Sequence, residues 1–262
     1  MKVSDYIWQY LYKITGSKHV FLLSGGGMMH LLDSVGKSKF KSISMHHEQA
    51  ASIAANAYGR TINSIGVCLV TSGPGATNAL TGVTAAFMDS VPMVIVSGQV
   101  STLFSKKKMK IRQLGFQEFD IISSVKPTTK YAVHLNNKYK VQYELEKACY
   151  LAKNGRPGPV WLDIPLDIQN SQIKIEKNKS FFYKNSKILN SNPYPKNEEI
   201  NIVIKNLKNS KRPLIVFGHG TYLSGAKEYA RKFINNFKLP CQSTWNSIDL
   251  IPDKNKYYFG RA

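Results

Sequence analysis

The sequence is poor in cysteine and has no long apolar run. Its 262 residues contain three cysteines, Cys68, Cys149 and Cys241, which lie far apart and form no Cys-x-x-Cys pair. This pattern excludes a disulfide framework and predicts buried, reduced thiols in a cytoplasmic protein. No apolar run reaches the roughly 18–20 residues that cross a bilayer, and no secretory leader is visible. We therefore expect no membrane partner.

Acidic residues and arginines are also few. The chain has 36 Lys+Arg against 16 Asp+Glu, a formal net charge of +20, yet only six of the basic residues are Arg. Recognition of bases and phosphates relies on the bidentate arginine fork. The excess therefore predicts a lysine-rich solvated surface and no nucleic-acid partner, with a basic nucleic-acid binder as the alternative. The dense cluster at 106–112 is either a solvated loop or a contact for an anionic substrate.

Apolar runs alternate with helical patterns along the first 170 residues. Continuous apolar stretches occur at 19–23, 65–71, 91–97 and 160–164. Helical periodicity covers 4–15, with Ser4 as the expected N-cap, and 141–153, and one helix is expected to follow the turn at 72–75 and to end at Met88. Such alternation predicts an α/β fold, a parallel sheet with helices on both faces. Ligands of such sheets lie at the carboxyl ends of the strands.

The composition changes after the last of these strands. We predict one domain over 1–170, a linker rich in Lys, Asn and Ser over 171–196, and an incomplete second α/β domain over 197–262. The last part has one clear strand and two helices, too little to bury a stable core by itself. The chain is therefore expected to be truncated or to depend on a partner.

Taken singly, the polar motifs are ambiguous. Glu48 sits at a strand-to-helix junction, where a carboxylate also serves to complement the helix dipole. The adjacent His46 and His47 diverge, so no metal site is predicted. The turn at 71–78 suits an anion or a ring nitrogen but lacks the Lys-Ser/Thr of a Walker loop, and 25–27 lacks the third glycine of a dinucleotide fingerprint.

The order of the motifs is far more specific than any one of them. HHEQAA at 46–51 precedes LVTSGPGATNALTGVTAAFMDSVPMVIVSGQV at 69–100, GFQEFDI at 115–121 and GRPGPVWLDIP at 155–165. This series resembles the acetolactate synthase large-subunit family of thiamine-diphosphate-dependent enzymes. The resemblance covers roughly 1–170 as the pyrimidine-binding domain and 196–262 as the first part of the central domain.

The resemblance implies an activity and a set of site residues. The expected enzyme is a cytoplasmic lyase or transferase that decarboxylates pyruvate, a 2-oxo acid, and transfers the two-carbon unit, as in branched-chain amino-acid biosynthesis. Glu48 would be catalytic, because it hydrogen-bonds N1′ of the aminopyrimidine and promotes loss of the thiazolium C2 proton. The other expected cofactor contacts are Gly26, Gly27, Pro74, Gly75, Asn78, Gln117 and, for FAD, Arg156; the expected substrate contacts are Phe116, Gln117 and Lys130.

Some positions depart from the family. Ser101 stands where the synthases usually have Pro, and 102–114 is lysine-rich and unlike theirs. The sequence at 112–118 and 156–167 more closely resembles that of thiamine enzymes of surface-polysaccharide gene clusters. Some of these transfer an acetyl unit from pyruvate to a keto-sugar nucleotide, so that acceptor is an alternative.

The family's diphosphate motif is not present. Its Gly-Asp-Gly, which holds Mg²⁺ and the diphosphate, has no counterpart, since Gly218-His219-Gly220 lacks the carboxylate. Mg²⁺ is therefore expected to bind only through a domain outside this chain, and whether FAD binds stays open. The expected partner is a second copy in a dimer or tetramer of the complete enzyme, or a separate chain carrying that domain. The alternative is an inactive fragment or an interaction module.

Overall fold

The chain divides into two compact units. The computed structural model describes residues 1–106, 109–185 and 194–262, and contacts separate a first unit, Met1–Asn190, from a second unit, Ser191–Ala262. The predicted domain limits at 170 and 197 stay predictions. Lys107 and Lys108 of the predicted basic cluster, and 186–193 of the predicted linker, lie outside the described residues.

A parallel sheet forms the centre of the first unit. Its strand order is β2-β1-β3-β4-β6-β5, and every neighbouring pair is parallel. Strands β3, β4 and β6 are buried along their whole length because helices cover both faces. The predicted α/β class is confirmed. The strands are β1 (His19–Leu22), β2 (Lys41–Ser44), β3 (Gly66–Val70), β4 (Met93–Gln99), β5 (Tyr131–His134) and β6 (Pro159–Pro165).

Two apolar clusters cover the two faces of this sheet. One packs α1, α2 and α7 against the sheet around Trp8 and Leu145, and the other packs α3, α5 and α6 around Trp161 and Val83. The helices are α1 (Val3–Thr15), α2 (Met29–Lys37), α3 (Glu48–Thr61), α4 (Pro74–Asn78), α5 (Leu80–Met88), α6 (Ile121–Val125), α7 (Val141–Lys153), α8 (Leu166–Asn170) and α9 (Phe181–Lys184).

Two local expectations differ from the structure. Ser4 was the plausible N-cap of the first helix, but α1 begins at Val3, and the buried Ser4 hydroxyl accepts a hydrogen bond from Ser34 Oγ at 2.8 Å. The single helix expected to end at Met88 is two helices, α4 and α5, which meet at Ala79.

The second unit is a smaller α/β arrangement. Its strands β7 (Ile215–Phe217), β8 (Cys241–Ser243) and β9 (Tyr258–Arg261) form a parallel sheet in that order. The buried apolar residues in the described part of this unit are Ala230, Ile234, Cys241, Leu250 and Ile251. Its helices are α10 (Asn197–Asn209), α11 (Gly220–Leu223) and α12 (Lys227–Phe237).

The cysteines agree with the expectation from sequence. Cys68, Cys149 and Cys241 are free and buried, and burial raises the pKa of the Cys149 thiol to about 12. Among the described residues, no helix is both long enough and apolar enough to cross a membrane.

Candidate functional site

Glu48 lies at the carboxyl edge of the sheet, where β2 gives way to α3. It is the first residue of α3, and His47 caps the helix by accepting a hydrogen bond from Gln49 N at its Nδ1, 3.1 Å away. The glutamate is only 7% exposed. The positive end of the helix dipole favours a carboxylate at this position.

Asn78 and Gly75 contact the Glu48 carboxylate. Asn78 Nδ2 donates to Glu48 Oε2 at 3.0 Å. A Cβ added at Gly75 would lie 3.0 Å from Glu48 Oε1, so the backbone of the turn runs directly along the carboxylate. No residue that the structure describes donates a hydrogen bond to Oε1. One oxygen is thus oriented by Asn78 while the other is available to a ligand.

The turn after β3 packs closely on the glycine turn after β1. Gly27 N donates to Thr71 Oγ1 at 3.0 Å, and a Cβ at Gly25 would lie 2.5 Å from Thr71 Cβ. Gly73 has φ +58°, a left-handed conformation that favours glycine, and Pro74 occupies the first turn of α4. The two turns can approach this closely only because small residues line both.

A cleft of about 490 Å³ opens beside these turns. We call it the glycine cleft. Phe116 is 83% exposed there, and Gln117 has φ +58° with its carbonyl against Gly73. The cleft is lined by Gly26, Gly27, Ser72, Val100, Ser101, Phe104, Leu114, Gly115, Phe116, Gln117 and Leu166.

The structure thus brings most of the predicted site residues to one edge. Glu48, Gly75 and Asn78 are in direct contact, and Pro74 begins the helix that carries Asn78. Gly26, Gly27, Phe116 and Gln117 share the glycine cleft. Their individual roles stay predictions.

Arg156 and Lys130 lie at the opposite edge of the sheet. Each comes just before a strand begins, and parallel strands all begin at the same edge. Arg156 Nε donates to Ser90 Oγ at 2.6 Å. The Lys130 ammonium donates to the carbonyls of Asn154, at 2.6 Å, and Leu151, where it stabilises the end of α7. Burial lowers the pKa of Lys130. This chain's fold does not bring them to Glu48, and their FAD and substrate contacts stay predictions.

Other residues shape the site without having been singled out from the sequence. Gln169, fully buried, donates from Nε2 to the Gly27 carbonyl at 2.8 Å. A Cβ at Gly98 would overlap that same carbonyl. Gln169 therefore holds the glycine turn in place, and Gly98 leaves room for it. Asp163 accepts hydrogen bonds from residues of the neighbouring strands, Ser97, Gln99 and His134. A carboxylate inside an apolar strand is the sequence signal that could have identified this buried polar residue.

The residues around Glu48 fit an aminopyrimidine ring. A free carboxylate oxygen can accept from a ring N1′–H, and a backbone without Cβ at position 75 leaves room for the ring to approach. The described residues contain no group of three or more His, Cys, Asp or Glu side chains placed to hold a metal ion.

Comparison with known proteins identifies two matching domains. The family described as "Thiamine pyrophosphate enzyme, N-terminal TPP binding domain" matches residues 1–124. The family described as "Thiamine pyrophosphate enzyme, central domain" matches residues 200–262.

Several curated relatives carry the same name. The chain is 32% identical over 251 residues to an acetolactate synthase large subunit of Lactococcus lactis, covering 95% of this chain and 42% of that protein. It is 35% identical over 240 residues to that of Buchnera aphidicola, covering 90% of this chain and 40% of the relative. The chain therefore spans less than half the length of these relatives. On these matches and on its fold, the chain belongs to the thiamine pyrophosphate enzymes, of which it carries the N-terminal domain and a part of the central domain.

Proposed function

We propose that this chain supplies the pyrimidine-binding half of a thiamine-diphosphate site. The complete enzyme would decarboxylate pyruvate or a related 2-oxo acid and transfer the two-carbon unit to an acceptor. The contact of the buried Glu48 carboxylate with Asn78 and Gly75 carries this proposal. The names of the relatives support the reaction.

Each residue has a definite task in this proposal. When bound, thiamine diphosphate supplies the nucleophilic carbon that reacts with the 2-oxo acid. Glu48 Oε1 accepts a hydrogen bond from the ring at N1′ and holds the shared proton there. Asn78 fixes the carboxylate by donating to Oε2. Phe116 and Gln117 form a wall of the glycine cleft, where they exclude water from the substrate.

The remaining cofactor and partner assignments are part of the same proposal. Mg²⁺ and the diphosphate bind to a different domain, because the sequence has no Gly-Asp-Gly. That domain comes from a second copy in a dimer or tetramer of a complete enzyme, or from a separate chain, in the cytoplasm. FAD and the identity of the acceptor, a second 2-oxo acid or a keto-sugar nucleotide, stay predictions from the resemblance.

Glu48→Gln tests the proposal directly. The amide keeps the size of the side chain but cannot take up the shared proton, so thiamine should bind to the full chain about tenfold more weakly. Calorimetric titration of thiamine, which lacks the diphosphate, measures this half of the site alone. Glu176→Gln is the control, because Glu176 is a half-buried carboxylate paired with Lys179 and has no part in the proposed site. This variant should bind thiamine as the unmodified chain does.

Two results would contradict the proposal. Equal thiamine affinity in Glu48→Gln and the unmodified chain would remove Glu48 from the site. Tight, Mg²⁺-dependent binding of thiamine diphosphate to this chain alone would show that it is not half a site. In the assembled enzyme, Glu48→Gln should abolish turnover while the far-UV circular dichroism spectrum stays unchanged.

A further inference from the structure

A buried polar cluster joins the carboxyl ends of β4, β6 and β5. Asp163 is 2% exposed and lies in register between Ser97 and His134. Ser97 Oγ donates to Asp163 Oδ1 at 2.6 Å, and His134 Nδ1 donates to Oδ2 at 2.8 Å. Gln99 Nε2 donates to the same Oδ2 at 3.2 Å. A buried carboxylate with this many donors is rigidly oriented.

Gln99 connects this cluster to the glycine cleft. Its Nε2 also donates to the carbonyl of Phe119 at 3.0 Å, and its Oε1 accepts from Val100 N at 3.0 Å. Phe119 ends the stretch 115–119, whose first three residues line the cleft. We call 115–119 the cleft segment. An unbroken series of hydrogen bonds therefore runs from His134 to the segment that carries Gln117.

The cleft segment needs such a restraint. Gln117 has φ +58°, which costs a residue other than glycine about 1 kcal/mol or more. Phe116 is largely exposed and adds little packing. Apart from the Gln99 contact, the Glu118 carboxylate fixes the segment by accepting from Lys106 N at 2.7 Å and from Leu114 N at 2.8 Å. Loss of either restraint would let the segment relax.

We propose that His134 and Asp163 are positioning residues for the cleft segment: His134 holds Asp163 by a hydrogen bond, and Asp163 orients Gln99 and so keeps Gln117 at the cleft. Neither residue touches the cleft itself, so both act through Gln99. The consequence for catalysis rests on the proposed function, whereas the restraint on the segment does not.

The charges around His134 favour its protonated form. Burial alone would lower its pKa, but the hydrogen bond and the charge of Asp163 outweigh burial and raise the pKa, with smaller help from Asp120 before α6 and Asp167 on α8. Lys106 and Glu118 line the same cavity of about 410 Å³. Because folding raises this pKa, the charge-assisted part of the His134–Asp163 hydrogen bond is complete below the ordinary histidine value. That part is lost as pH rises through the raised value, where the neutral ring keeps only a weaker hydrogen bond from Nδ1–H.

Hydrogen exchange of the full chain tests this without cofactor or turnover. The amides of the cleft segment should be more protected at about pH 6 than at about pH 8, after correction for intrinsic exchange. His134→Leu should speed their exchange about tenfold at the lower pH. His134→Gln keeps a donor for Asp163 but does not titrate. In this variant the amides of the cleft segment should be less protected than in the unmodified chain at about pH 6 and more protected than in His134→Leu, and their protection should be the same at both pH values.

His19→Leu is the matched control. His19 is the first residue of β1, and its ring hydrogen-bonds to Tyr58 OH at 3.0 Å. It lies at the opposite edge of the sheet from His134, so the cleft segment should exchange as in the unmodified chain. The proposal is overturned if His134→Leu leaves the segment's exchange unchanged, if it speeds exchange equally throughout the first unit, or if His134→Gln keeps the pH dependence. If Glu48→Gln binds thiamine as tightly as the unmodified chain, the proposed function fails, but the hydrogen-exchange test of His134 keeps its meaning.

Discussion

At the scale of single residues, the absence of a side chain at Gly75 matters as much as the carboxylate it faces. A Cβ there would lie 2.5 Å from Thr71 Cγ2 and 3.0 Å from Glu48 Oε1. Gly75→Ala should therefore destabilise the first unit by about 1–3 kcal/mol, because either the turn or the Glu48 side chain must move. Urea unfolding followed by tryptophan fluorescence measures the loss.

Gly36→Ala provides the control for that substitution. Gly36 lies in α2 with no atom within 4 Å of an added Cβ, so alanine should be neutral or stabilising there. Combining Gly75→Ala with Thr71→Ser removes the clashing methyl group and should recover part of the stability. Equal free energies of unfolding for Gly75→Ala and Gly36→Ala would show that the turn accommodates a Cβ at position 75 without strain.

The site was only partly predictable at this scale. Glu48, Gly75 and Asn78 were expected from the resemblance, and the structure shows them in contact. Lys130 and Arg156 precede their strands and so lie at the other edge, and their expected substrate and FAD contacts stay predictions. Sequence order alone does not say which edge a loop occupies until the strand next to it has been located.

At the scale of elements, α9 is attached to α7 through one buried carboxylate. Glu146 Oε2 accepts from Phe181 N at 2.8 Å and from Ser180 Oγ at 2.5 Å. Phe181 packs against the rings of Tyr143 and Tyr150, at centroid distances of 5.5 and 5.4 Å. Within the stretch predicted as a linker, residues 181–184 thus form a helix that packs on α7.

Glu146→Ala should release α9 from α7. It leaves the Phe181 amide without its acceptor and should cost about 1–3 kcal/mol locally. Hydrogen exchange of the amides of 177–185 should speed up. The control is Glu144→Ala, because Glu144 lies two residues earlier on the same helix and accepts a hydrogen bond from Tyr131 OH; this variant should leave that exchange unchanged. If Glu146→Ala behaves like Glu144→Ala, ring packing alone holds α9.

Three of the predicted strands share a physical property. Strands β3, β4 and β6 are buried on both faces and therefore appear as continuous apolar runs. Strand β5 was missed because it is an edge strand that is half-buried along its length and ends in His134. Strand β9, also at the edge of its sheet, was missed because half-buried and exposed residues alternate along it. Short edge strands owe their position to the neighbour they pair with, which local sequence does not contain.

At the scale of the whole molecule, the two units differ in the size of their apolar cores. The first unit has apolar clusters on both faces of its sheet. Over residues 194–262, the second has five buried apolar residues, and α10 buries none of its side chains. Because stability follows buried apolar area, we expect the second unit to unfold first.

Urea unfolding of a Trp245→Phe variant separates the two units. Trp8 and Trp161 are fully buried in the first unit, whereas Trp245 of the second is 70% exposed, so the remaining fluorescence reports on the first unit alone. Circular dichroism, which reports on both, should begin to change at lower urea. Ile234→Ala should shift only the early transition and Ile7→Ala only the late one, each by about 2–4 kcal/mol. Coincident transitions that both variants shift together would mean that the chain unfolds as one cooperative body.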